Sequence, residues 1–302
     1  MTDKRILAAP LRLLLGLAFL LVAVVAREIL LLPVRWLLSL RDPPAIWLGP
    51  EGGNYGPRGI LYALVAAAFM VFLGYWSYRL YVKWVERRAL DELALQGALR
   101  EGALGALLGA AFVLFLAAVL WMGGHYSLLG SNPWPWALPL SAAAATAAFI
   151  EELAVRGLLF RITEERLGTW AALFLTSLIF GLMHAANAHA NWLSMVCIAL
   201  SAGPVAASAY VLTRRLWLPI GLHFGVNLTE GAVLGLAVSG AQARGLLRSQ
   251  LTGPAYLTGG AFGLEASMIV PALGVGMAAV FLVMAAHRGQ IRPPRWRRRE
   301  AA

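Results

Sequence analysis

Two carboxylates and an arginine fall close together in the otherwise apolar stretch SAAAATAAFIEELAVRGLLF, as Glu151, Glu152 and Arg156. At about 100° per residue Glu152 and Arg156 share one helix face, whereas Glu151 points about a quarter turn away. Arg156 can then neutralise Glu152 and leave Glu151 available as a general base. A buried ion pair that fixes helix packing accounts for Glu152 and Arg156, yet it leaves Glu151 as a second carboxylate with no local cation. The next apolar stretch, SLIFGLMHAANAHANW, places Phe180 and His184 four apart, so the ring packs beside the imidazole and limits its rotamers. In LPIGLHFGVNLTEG, His223 and Asn227 again share a face. A single histidine in an apolar helix is ordinarily a packed residue bonded to a carbonyl. A bare glutamate, two histidines and an asparagine together supply a base, a second proton handler and neutral hydrogen-bond donors, the groups needed to add water to a carbonyl.

Other chemistries fit less well. The chain has no G-x-S-x-G and no H-E-x-x-H, and its one thiol, Cys197, has no histidine close by in sequence. Zinc held by Glu151, His184 and His223 stays open as the alternative to a metal-free site. His189, His125, His287 and Glu230 are read as residues near the membrane surfaces.

The elements that must position these groups are membrane helices. Of 302 residues 60% are hydrophobic and 13% charged, and the mean hydropathy is +0.71, which excludes a water-soluble domain. A spanning helix needs about 20 mostly apolar residues, and eight stretches qualify: Ile6 to Ala26, Gly59 to Val82, Ala103 to Met122, Ala137 to Phe160, Trp170 to Ala190, Trp192 to Leu212, Trp217 to Val238 and Ala266 to Ala286. The expected fold is therefore all-α, a polytopic membrane helix bundle with the chemistry in helices four to seven. Arg27 to Leu40 is an interfacial helix or a tilted continuation of the first span. That first span, behind Lys4 and Arg5, has a signal-peptide look but no A-x-A site before Arg27, so it is kept as a helix. Each ionisable residue inside a span costs at least ~2.5–3.5 kcal/mol, and so asks for a partner or a purpose.

The formal charge of +10 sits mostly in one set of loops. Lys4 and Arg5, Arg79 to Arg100, Arg161 and Arg166, Arg214 and Arg215, and the arginines from Arg288 to Arg299 fall on one side, and the loop Gly123 to Trp136 carries none. This asymmetry places both chain ends inside, makes the tail RPPRWRRRE a topology anchor or lipid-headgroup contact rather than a nucleic-acid site, and leaves no role for nucleic acid. Along the chain, residues 1–136 read as N-terminal helices and loops, 137–238 as the catalytic core, and 239–302 as a re-entrant or external loop, a last helix and a basic tail.

Glu-Glu-x-x-x-Arg at 151–156, Phe-x-x-x-His at 180–184 and His-x-x-x-Asn at 223–227, in that order on successive helices, resemble the three motifs of the CPBP intramembrane proteases, the family of CAAX prenyl protease 2 and lysostaphin resistance protein A-like proteins. The resemblance covers roughly a third of the chain, and the glycine-rich LTGGAFGLEAS before the last helix is also similar to bacterial members. It implies a glutamic endopeptidase of the bacterial inner membrane without a metal, acting on a membrane-associated protein or peptide. Glu151 and His184 would activate water, His223 and Asn227 would stabilise the oxyanion, and Glu152, Arg156 and Phe180 would support them. A non-enzymatic scaffold or bacteriocin-immunity protein using the same helices, and a transporter with a proton-relaying glutamate, are the competing readings.

One expectation conflicts with the rest. From the expected span limits, Glu151 lies about 21 Å from the outer start of its helix, His184 about 21 Å from the inner start of its own and His223 about 9 Å in, levels that differ by roughly 12 Å in a ~30 Å core. Shifted limits or broken helices are required to bring them together.

Overall fold

The computed structural model describes residues 7–39 and 56–296. Lys4, Arg5, most of the stretch Arg41 to Arg58 and the last arginines of the tail lie outside the described residues. The rest is the expected helical bundle, with one two-stranded sheet. Its helices are α1 (Ala9–Leu37), α2 (Pro57–Tyr81), α3 (Ala98–Met122), α4 (Ala137–Glu152), α5 (Arg161–Met183), α6 (Trp192–Leu200), α7 (Ala202–Thr213), α8 (Trp217–Asn227), the short α9 (Ala255–Thr258) and α10 (Ile269–His287). Six helical runs among the described residues are long and apolar enough to cross a membrane.

Several limits differ from those expected, and each difference has a local cause. The first span and the segment after it form one continuous helix, since Pro33 is accommodated within α1. The expected fourth and fifth spans are a single run, Trp134–Ala186. Their connection is not a loop over residues 161–169, because α4 passes through a wide π segment, Leu153–Phe160, straight into α5. The chain reverses only at Gly168, whose φ of 79° and ψ of 171° belong to a region that glycine alone enters readily. The sixth span is broken at Ser201 between α6 and α7. The seventh is helical only over residues 217–233, too short to meet the same length criterion.

α3 and α8 pack along their lengths through glycines. A Cβ on Gly105 would lie 2.4 Å from the Leu218 carbonyl and one on Gly109 2.3 Å from that of Leu222. From the other side, Gly221 and Gly225 approach the carbonyls of Gly102 and Ala106 to 2.2 Å on the same measure. The spacings Gly105-x-x-x-Gly109 and Gly221-x-x-x-Gly225 are the small-residue pattern that lets membrane helices meet backbone to backbone. Since α8 carries His223 and Asn227, this contact sets where two of the polar groups stand.

One end of the bundle is tied by charge. The nearly buried Glu86 carboxylate accepts from Arg12 at 2.6 Å, from Arg88 at 2.7 Å, from Arg161 at 2.6 Å and from the Tyr81 hydroxyl at 3.0 Å. Glu92 accepts from Arg88 and, at 2.6 Å, from the Tyr78 hydroxyl. Burial alone would raise the Glu92 carboxyl, but the hydrogen bond and charge of Arg88, with Arg161, hold it below the usual carboxylate range. Glu164, fully buried, binds Arg214 and the Thr169 hydroxyl. The segment after α10 is strapped to the Gly168 turn: Thr169 donates to the Arg292 carbonyl at 2.9 Å, and the Arg292 amide donates to the Thr169 hydroxyl at 2.8 Å. The start of α1, the turns after α2 and α7, and the end of α10 therefore lie at the same end, as the charge asymmetry requires.

At the other end β1 (Tyr126–Ser131) pairs antiparallel with β2 (Leu247–Leu251), from Tyr126 opposite Leu251 to Ser131 opposite Leu247, with an irregularity between Leu128 and Gly130. α6 starts there on a capping box, the Asn191 side chain accepting from the Leu193 and Ser194 amides.

Candidate active site

The reversal at Gly168 removes the mismatch in depth between the first two motifs. Glu151 stands about 17 residues before that turn and His184 about 16 after it, so the two arms of the hairpin carry them some 25 Å to nearly the same level. α8 meets them because it begins inside the charged end rather than at a membrane surface. The Leu216 amide donates to the Glu92 carbonyl at 2.9 Å, and Leu216 is fully buried.

Glu152 lies at the centre of this arrangement. Its Oε1 accepts from Arg156 at 2.8 Å and faces Nδ1 of His223 at 3.1 Å, and the residue is fully buried. Arg156 also donates to the carbonyls of Ala202 at 3.1 Å and Gly203 at 2.9 Å at the start of α7, and its guanidinium lies 4.6 Å above the Phe180 ring. The pairing expected between Glu152 and Arg156 is present. A carboxylate cannot donate, so the bond to Glu152 fixes the hydrogen of His223 on Nδ1 and turns Nε2 toward Glu151, whose Oε2 is 3.9 Å away. His223 thus stands between both carboxylates.

Glu151 has the opposite environment. Its side chain keeps 34% of its surface exposed, while that of Glu152 keeps none. Phe180 stacks edge-on against His184, with centroids 4.9 Å apart, and lies 6.3 Å from the His223 ring. Nδ1 of His184 lies 2.8 Å from the Phe180 carbonyl, which can only accept, so the neutral ring offers the lone pair of Nε2. Asn227 is nearly buried and its side-chain amide bonds to none of the described residues.

Two cavities meet on this wall. An outer one of about 540 Å³ is lined by Glu151, His184, His189, His223, Asn227 and the loop from Val238 to Gln242. An inner one of about 80 Å³ lies behind it, among Phe112, Leu116, Val226, Leu264 and Met277, with Glu152 on its wall. His184, His223 and Asn227 line both, whereas Glu151 faces only the outer cavity and Glu152 only the inner. The two helices carrying the first and third motifs pass into π segments, 153–160 and 228–233, directly after Glu152 and Asn227. Such segments recur at functional sites.

Glu230 corrects the sequence reading. It is not a residue of the membrane surface but is 1% exposed on the inner cavity, bonded through Oε1 to the Leu264 amide at 2.7 Å. Its position one helical turn past Asn227 was the available signal. His189 lines the outer cavity, His287 is exposed at the end of α10, and His125 faces the Thr252 carbonyl at 2.9 Å. The thiol of Cys197 is buried 3.7 Å from the Ala266 carbonyl. Among the described residues no group of three or more His, Cys, Asp or Glu side chains is gathered as a metal ion would need.

Residues 132–229 match the family model described as type II CAAX prenyl endopeptidase Rce1-like. The matched segment contains all three motifs, from Glu151 to Asn227, and corresponds to the resemblance seen in the sequence. No curated protein and no solved structure matches the chain. The matched family is one of membrane proteases, and this likeness together with the apolar helical runs supports an integral membrane protein.

Proposed function

We propose that the protein is an intramembrane glutamic endopeptidase that hydrolyses a peptide bond of a membrane-associated protein or peptide. The observation that carries this reading is the division of labour between adjacent carboxylates: Glu151 faces a roomy cavity, and Glu152 is buried and charge-balanced behind it. Water in the outer cavity gives a proton to Glu151 while its oxygen attacks the scissile carbonyl. Nε2 of His184 accepts the second hydrogen of that water and holds the lone pair on line. The Asn227 amide donates to the developing oxyanion. With Nδ1–H committed to Glu152, His223 donates from Nε2 only as the imidazolium, whose charge Glu152 balances. Glu151 then returns its proton to the leaving amine, which closes the cycle with one water consumed.

In this reading no metal takes part, both chain ends face the cytoplasm of a bacterial inner membrane, and the substrate enters from the bilayer. Arg156 and Phe180 hold the two histidines in register. The test compares protein termini in membranes of cells that carry the wild type or Glu151→Gln. New termini should appear with the wild type alone, and purified wild type should keep cutting in the presence of a chelator. Identical termini in both strains would exclude peptidase activity through Glu151 and return the protein to the scaffold reading.

A further inference from the structure

The inner cavity holds two carboxylates that the proposed hydrolysis does not use. Glu230 comes from the π segment after α8, and Glu265 from the loop before α10. Both line the cavity, and no Lys, Arg or His of the described residues lies within 4 Å of either. Glu265 accepts the amide of Ser239 at 2.7 Å and its hydroxyl at 2.6 Å, both on Oε2. The single hydrogen bond of Glu230 uses Oε1, which leaves Oε2 of a 1% exposed residue without a protein partner. A further oxygen on the same wall, Oε2 of Glu152, is also buried without a partner. The remaining wall is apolar, built by Phe112, Val113, Leu116, Val226, Val270 and Met277.

A pair of uncompensated carboxylates in such surroundings is costly unless a proton is taken up or a positive charge arrives. Too few donors are gathered for a metal ion. An organic cation fits better: an ammonium or guanidinium group donates to both carboxylates, while its alkyl stem lies along the apolar wall. The volume of about 80 Å³ is several times what one water requires and matches a short stem rather than a long chain. Because Glu230 is one turn beyond Asn227, a cation held there belongs to a residue close to the scissile bond.

We infer that Glu230 and Glu265 form a subsite for a lysine or arginine side chain of the substrate. This rests on the peptidase reading for its purpose, but binding can be measured apart from cleavage. The probes are n-hexylammonium, n-hexanol and hexanoate, titrated into purified full-length protein while its thermal unfolding is followed, in the wild type and in Glu151→Gln. Hexylammonium should bind at least about tenfold more tightly than hexanol, hexanoate should not bind, and the preference should vanish in the double variant Glu230→Gln with Glu265→Gln. Glutamine keeps the oxygens that accept from Leu264 and Ser239, and Glu265→Gln alone serves if the double variant does not fold. Equal affinity for amine and alcohol in the wild type would mean an apolar pocket with a proton shared by the two acids, and would overturn the inference. Loss of cleavage in Glu151→Gln with amine preference retained supports both readings. Retained cleavage there refutes the peptidase assignment of Glu151 and leaves the subsite standing. Among termini generated by the wild type, lysine or arginine should be enriched next to the cut, and the double variant should lose that enrichment.

Discussion

Replacing Gly225 by alanine tests whether close approach of α3 and α8 positions the site. The added Cβ would start 2.2 Å from the Ala106 carbonyl oxygen. Ordinary contact begins near 3.4 Å, so the helices must part by about 1.2 Å, because a backbone carbonyl cannot rotate away as a side chain can. Gly225 stands midway between His223 and Asn227, and the displacement passes directly to both. A misplacement of about 1 Å can reduce turnover about 100-fold, while overpacking of this kind costs roughly 1–3 kcal/mol of stability. Gly276→Ala on α10 is the control: nothing lies within 4 Å of the position a Cβ would take, so it should be neutral or stabilise by about 0.5–1 kcal/mol. Both variants are assayed for cleavage of the substrates found from the termini and for thermal unfolding in detergent. Cleavage by Gly225→Ala within about threefold of wild type, at unchanged unfolding temperature, would refute the argument that this contact fixes His223 and Asn227.

Gly168→Ala should cost about 1–3 kcal/mol for its backbone conformation, and more because the Cβ would lie 2.8 Å from the Arg292 carbonyl oxygen; protease accessibility of the segment after α10 should rise with the lost stability. The depressed Glu92 carboxyl contributes stability that is complete above the unfolded value near 4.3 and is lost as pH falls through the lower folded one. Glu92→Gln should therefore lower the unfolding temperature at pH 7 and flatten its decline in acid, and an unchanged acid limb would refute the assignment.

The helical class of the fold was legible because the apolar runs are long and the charges few, and the three motifs were legible because ionisable groups stand out in such runs. Where helices end was less so. Arg161, Glu164 and Glu165 read as a polar loop, yet Glu86, Arg214 and Arg12 bind them and let the helix continue to Gly168. Partnering across the fold decides that, and it has no local signature. The pairing of Glu152 with Arg156 followed from four-residue spacing, but the approach of His223 to Glu152 depends on a separate helix and is invisible to periodicity. Glu230 was misread because its burial comes from Leu264 and Glu265 on a distant loop. The glycine spacing on α3 and α8 was present in the sequence as a pattern of close helix approach.

The strap over Gly168 also orders events in time. Gln290 and Arg292, which hold Arg214 and Thr169, leave the ribosome only after every helix of the site has been made. Until then the hairpin that levels Glu151 with His184 lacks the clasp at its bend. A growing chain thus carries all these polar groups in the bilayer while its hinge is unfastened, and only the finished chain, with its tail tucked in, can close the clasp.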